Sequence, residues 1–137
     1  MRCDVGVYGL SVMGQNMSLN IASKGFHVAV SNRSAEIELL ANTMKRVKIE
    51  NEVLASNAAA TSSISNVKNL QIQGFEDCES FVLSLCKPRK ILILVQAGKA
   101  VDDTIQNLIP YMEAGDIIVD GGNEWYPNSV RRCIDLK

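Results

Sequence analysis

No apolar run in this sequence approaches the ~20 residues needed to cross a bilayer. The N-terminal stretch lacks the continuous apolar core of a signal peptide, because Asp4 and Gly6 interrupt it, and the expectation is a cytoplasmic protein. An excess of one charge sign is also missing. A formal net charge of -1 over 137 residues gives no global pull toward nucleic acid or an anionic membrane, and neither is expected as a partner. No two of Cys3, Cys78, Cys86 and Cys133 are spaced as CxxC, and His27 is the sole histidine. No metal site is therefore expected, and the thiols read as reduced and partly buried. A Ser/His/Asp arrangement has no support with one histidine, and His27 reads as structural at the start of a strand.

What is present is the balance of an ordinary globular domain, 47% hydrophobic and 21% charged, at a length that fits one compact unit. Short β-rich runs alternate with segments of helical period. Residues 4–8 read as a strand, and 13–24 as a helix with Met13, Met17, Ile21 and Ala22 on its apolar side. Gly25 is placed to take a left-handed cap after it. A second strand at 26–30 leads to a helix at 35–47 with Ile37, Leu40, Met44 and Val47 on one stripe. Residues 51–69 are small and polar and read as a helix tail running into a flexible loop. A strand at 70–73, a helix at 76–86, a strand at 90–95 and a helix at 99–112 follow. Residues 116–120 read as another buried strand, and a last helix starts near Pro127. Five such alternations predict an α/β fold of Rossmann type: a doubly wound parallel sheet flanked by helices in three layers.

The chemistry concentrates at the first strand–helix turn. Gly9-Leu10-Ser11-Val12-Met13-Gly14 keeps the first and third glycines of the dinucleotide fingerprint and places Ser11 at the middle one. Gly9 suits the tight turn, Gly14 close helix–strand packing, and the helix N-terminus offers unpaired N–H groups to a pyrophosphate. Two glycines making a plain turn is the bland alternative. Where NAD-binding chains carry an acidic residue after the second strand, this one has Asn32-Arg33-Ser34. Arg33 would attract a ribose 2′-phosphate and stack on adenine, Asn32 and Ser34 would add neutral hydrogen bonds, and Ser34 would cap the next helix. The cofactor expected is NADP.

Several segments together resemble the 6-phosphogluconate dehydrogenase family: GLSVMGQN at 9–16, SNRS at 31–34, KPRKILILVQAG at 87–98, AVDD at 100–103, GDIIVDGGNEWY at 115–126 and RRCIDL at 131–136. The resemblance covers nearly the whole chain in order. It implies one NADP-binding Rossmann domain over residues 1–137. In the whole enzyme, NADP-dependent oxidation of 6-phosphogluconate is followed by decarboxylation to ribulose 5-phosphate and CO₂, in the pentose phosphate pathway. It further implies that Gly9 to Gly14 hold the pyrophosphate with Met13 near the nicotinamide, and that Asn32, Arg33 and Ser34 hold the 2′-phosphate. Val95, Gln96 and Ala97 would line the cofactor, and Asn123 would reach both nicotinamide and substrate.

Ser11 and Gln96 depart from the family pattern, which has alanine or glycine and lysine there, and residues 57–69 read as a surface insertion. Trp125 and Tyr126 either wall the active site or form a satellite cluster. The family's lysine base, its glutamate acid and its helical dimerisation domain have no counterpart here, so no catalytic residue is assigned. Asp102 and Asp103 point apart on a helix, and Asp116 and Asp120 sit at opposite strand ends. The expectation is a truncated domain that binds NADP without turnover, from an enzyme that is a homodimer when whole. A domain of another β-hydroxyacid dehydrogenase and a non-catalytic nucleotide sensor are the competing readings.

Overall fold

Strands β1 (Val5–Tyr8), β2 (Val28–Ser31), β3 (Ile72–Phe75), β4 (Lys90–Ile93) and β5 (Ile117–Asp120) form one sheet in the order β3-β2-β1-β4-β5. Every pairing is parallel. The computed structural model describes residues 2–60 and 69–136, except for the side chains of 58–60. The connecting helices are α1 (Val12–Ser23), α2 (Ile37–Ala60), α3 (Cys78–Leu83) and α4 (Lys99–Leu108), and α5 (Tyr126–Asp135) follows β5. Single 3₁₀ turns at Ser34–Glu36 and Ile109–Tyr111 precede α2 and follow α4.

Strand periodicity sends alternate residues to opposite faces. Val7, Val28 and Val30 pack with Leu19 and Ala22 of α1 and Leu40 and Val47 of α2. Tyr8, Ala29, Ile91 and Ile93 pack with Phe81 and Val82 of α3 and Val101, Ile105 and Leu108 of α4. Helices therefore cover both faces of the sheet, giving the doubly wound, three-layer Rossmann-type fold expected. After β3 the chain crosses back to lay β4 beside β1. The crevice between β1 and β4 is thus the switch point where ligands bind in open α/β sheets.

The order of elements is as expected, but several details differ. In α1 the buried residues are Gly14, Ser18, Leu19 and Ala22, while Met13 and Met17 are exposed. The helical period is right and its phase is turned, because Gly14 must face the backbone of the preceding turn and Ser18 bonds back to the Gly14 carbonyl at 2.8 Å. Gly25 does take a positive φ, +93°. Helix α2 continues through residues 51–60, where a looser tail was expected. Asn51 anchors it by accepting from Leu70 N at 2.7 Å and donating to Leu70 O at 3.3 Å. Strand β3 starts two residues later than expected, and most of the 57–69 segment lies outside the described residues. Asp77 caps α3 through Ser80 N at 2.7 Å, shortening that helix at its start.

The expectation of a buried strand at 116–120 is overturned. Strand β5 is a sheet edge, and Ile117 and Val119 are about half exposed. A continuous apolar run is compatible with an uncovered face, and pattern alone cannot tell the two apart. Asp116 lies before the strand and pairs with buried Arg89 at 2.7 Å, at the end of the sheet remote from the switch point. Burial raises the pKa of the Asp116 carboxyl, but hydrogen bonds from Arg89 and from the Arg89 and Glu113 backbone outweigh this and lower it overall. No helix among the described residues is long and apolar enough to cross a membrane.

Candidate functional site

A cleft of about 630 Å³ opens over the carboxyl ends of β1, β2, β4 and β5, at the switch point. The β1–α1 turn forms its floor. Gly9 has φ +104°, and a Cβ there would lie 2.4 Å from the Leu94 carbonyl oxygen. A Cβ on Gly14 would lie 1.8 Å from the Gly9 oxygen. Both positions thus need glycine for close approach, as the spacing implied. Leu94 N donates to Tyr8 O at 2.8 Å, holding β4 against this turn just beyond the strand.

Ser11 is the N-cap of α1, and its hydroxyl makes no capping bond. The first intrahelical bond runs from Gln15 N to Ser11 O. The N–H groups of the first turn, Val12 to Gly14, therefore carry the unpaired positive end of a 12-residue helix. Gly9, Leu10, Ser11 and Met13 line the cleft, while Val12 faces solvent and Gly14 lies beneath the turn.

At the other side of β1, Asn32 and Arg33 line the cleft and Ser34 does not. Asn32 is buried and its amide is committed: Oδ1 accepts from Leu10 N at 3.4 Å and Nδ2 donates to Glu36 O at 2.9 Å. It ties the β1–α1 turn to the segment after β2. Among the described residues the Arg33 Nε is buried without a hydrogen-bond partner, and Arg33 Nη2 donates to Glu36 Oε1 at 2.7 Å. Arg33, not Ser34, is the N-cap residue of the 3₁₀ turn. Ser34 makes no cap bond, because the helix proper is delayed to Ile37 by that turn. Glu36 was not foreseen as a lining residue, although its spacing three residues beyond Arg33 is that of a helical ion pair.

Val95, Gln96, Gly121, Gly122 and Asn123 line the β4–β5 end, with Ala97 in the same loop but off the cleft wall. None of these residues titrates. Gly121 N donates to Ile93 O at 3.0 Å and Gly122 N to Asp120 Oδ1 at 3.1 Å. Trp125 and Tyr126 are 69% and 74% exposed, so they neither wall the cleft nor form a buried cluster. His27 is at the far end of β2, where its backbone N donates to Asp4 Oδ2 at 2.8 Å.

Behind this end sits buried Arg132, which sequence reasoning missed. Its guanidinium pairs with Asp102 at 2.8 Å, Asp120 at 3.2 Å and Glu124 at 2.8 Å. The Asp102 carboxyl is held down to about 2 by Arg132 and Arg131. Glu124 is held near 2 by hydrogen bonds from Asn128, Gly98 N and Arg132. Asp103 instead pairs with Lys99, so the two adjacent aspartates serve separate ion pairs.

Residues 4–137 match the model of the NAD binding domain of 6-phosphogluconate dehydrogenase. The chloroplastic decarboxylating 6-phosphogluconate dehydrogenase 2 of Oryza sativa subsp. japonica is 46% identical over 93% of this chain and 22% of its own length. The decarboxylating enzyme of Chlamydia muridarum is 43% identical over 98% of this chain and 24% of its own. The solved Plasmodium falciparum 6-phosphogluconate dehydrogenase superposes with a TM-score of 0.77 at 47% identity, covering 98% of this chain and 24% of that one. It is described in its apo form, with its cofactor NADP+ and with its substrate 6-phosphogluconate. The chain thus spans about a quarter of the length of these relatives.

Proposed function

The chain belongs to the 6-phosphogluconate dehydrogenase family through its NAD-binding domain, and from this premise we propose that it holds NADP. One juxtaposition carries the reading. The unpaired N-terminus of α1 and the Arg33 side chain border the same switch-point cleft. The first suits a pyrophosphate and the second a 2′-phosphate. The donor set fits such a group, since unpaired helix N–H groups and a guanidinium border one cleft, and Gly9 and Gly14 let the turn pack where a side chain would collide with backbone.

In this reading the Gly9–Gly14 turn seats the pyrophosphate, and Ser11 adds a hydroxyl where its own helix leaves one uncommitted. Arg33 binds the 2′-phosphate and covers the adenine, with Ser34 at the exposed margin. Asn32 contributes mainly by holding the two loops in register. The nicotinamide lies toward Val95, Gln96 and Asn123, with Asn123 also reaching the substrate. The bound cofactor supplies the acceptor for a hydride. The protein's share here is orientation and shielding, because the lining of this end contains no proton-transfer side chain. The whole protein is proposed to oxidise 6-phosphogluconate and release CO₂ and ribulose 5-phosphate as a homodimer, with its acid and base supplied from outside this cleft.

Titrating ¹⁵N-labelled chain with NADP tests the placement. Amides of Gly9–Gly14, Arg33, Gln96 and Asn123 should shift, while those of Arg89 and Asp116 stay still. Reduced nicotinamide should not accumulate when 6-phosphogluconate is added to the chain alone. Shifts confined to the Arg89 end, or none, would overturn the site; turnover would overturn the division of labour.

A further inference from the structure

Helix α5 buries one residue, and that residue is charged. Val130 and Ile134 stay 52% and 66% exposed, so apolar packing does not hold this helix. Arg132 does, and its partners come from two separate stretches of chain, 98–102 and 120–124. Its Nε donates to Asp102 Oδ1 at 2.8 Å, and its Nη2 to the Gly98 carbonyl at 3.0 Å. Its Nη1 donates to Asp120 Oδ2 at 3.2 Å and Glu124 Oε2 at 2.8 Å.

These acceptors bracket the two loops that wall the β4–β5 end of the cleft. Asp120 and Glu124 flank Gly121-Gly122-Asn123 on either side. Gly98 closes the loop containing Gln96 and Ala97, with φ +87°. Gly98 N also donates to Glu124 Oε2 at 2.7 Å, linking the two loops, while Gly122 N donates to Asp120 Oδ1 at 3.1 Å within the second. Both walls therefore hang from one rigid guanidinium fork. A lysine ammonium could not reproduce this planar arrangement. Burying a guanidinium among carboxylates carries a large desolvation cost, so its value here is geometric more than a gain in stability.

We infer that Arg132 is a positioning residue that sets the spacing of the Gln96–Gly98 and Gly121–Asn123 loops for the nicotinamide half of the cofactor. This rests on the NADP reading. The adenosine end, at Asn32 and Arg33, lies across β1 and shares no partner with Arg132.

The test is a split of affinities between NADP and adenosine 2′,5′-bisphosphate, which carries only the adenosine half. Arg132→Lys should weaken NADP roughly tenfold, a loss of the size expected when charge-assisted hydrogen bonds go, and leave the bisphosphate unchanged. Glu124→Gln removes charge from the same network and should act in the same direction, which keeps the test decisive if the lysine variant does not fold. Equal losses for both ligands, or no loss for either, would overturn the positioning role while leaving NADP binding intact. Wild-type chain that binds the bisphosphate but gains nothing from the nicotinamide half would overturn it as well. Wild-type chain that binds neither ligand would overturn the NADP reading and this inference with it.

Discussion

At the scale of single residues, Arg33 already has a partner that a 2′-phosphate would have to share. Its Nη2 holds Glu36 at 2.7 Å, and its Nε has no partner among the described residues. Glu36 therefore places a carboxylate beside the proposed phosphate position, where it repels a dianion. Glu36→Gln should tighten NADP about threefold with little change in NAD, and the gain should shrink as salt rises. Parallel titrations at two ionic strengths check this; weaker NADP binding in the variant would mean that Glu36 serves chiefly to orient Arg33. Gly9 and Gly14 were legible because a turn between strand and helix restricts residue type locally. Arg33 was legible from its place after the second strand. The commitments of Asn32 were not, since its partner Leu10 is 22 residues away. Arg132 was hidden for the same reason, with acceptors 30, 12 and 8 positions distant and no pattern in its own helix to mark it.

At the scale of elements, periodicity identified helices and strands but not which face each would bury. Helix α1 shows this. Its methionines matched an apolar stripe, yet Met13 stands at the cleft while Gly14 and Ser18 turn inward, because backbone contact at Gly14 sets the rotation. Helix α3 is the opposite case, pinned to the sheet by Phe81 and Val82, both fully buried. The Phe81 ring meets Tyr8 edge-on at 5.9 Å and Phe75 at 6.5 Å. Phe81→Ala should cost about 3–5 kcal/mol in denaturant unfolding, the range for a large aromatic removed from a packed core. A loss under about 1 kcal/mol would mean that the site collapses around the gap.

Helix α5 depends on ions, so it should depend on pH. Asp102 and Glu124 sit near 2 in the folded chain, below their ordinary values of 3.8 and 4.5. Carboxyls depressed by folding stabilise it fully above the ordinary values and lose that contribution as pH falls through the folded ones. The helix should therefore loosen as pH drops from 4.5 toward 2. The Gly98 amide, which donates to Glu124 Oε2 at 2.7 Å, is the natural NMR reporter. A Gly98 amide shift unchanged across that window would contradict an ionic anchor.

At the scale of the molecule, the alternation of elements and the parallel sheet were the most legible features, because short strands alternating with helices leave few topologies. The outer boundary was less legible. Strand β5 reads as a buried run but is an edge, and Ile117 and Val119 are left half exposed. A sequence pattern records apolar character, whereas burial depends on what covers it. In the proposed function the whole cleft acts as one NADP site. Calorimetric titration of the chain and of Arg33→Ala with NADP and with NAD tests it most directly. The account predicts that the chain prefers NADP by roughly tenfold or more, the scale of a charge-assisted phosphate contact, and that Arg33→Ala erases the preference while NAD binding persists. Equal affinity for the two cofactors in the unmodified chain would contradict it.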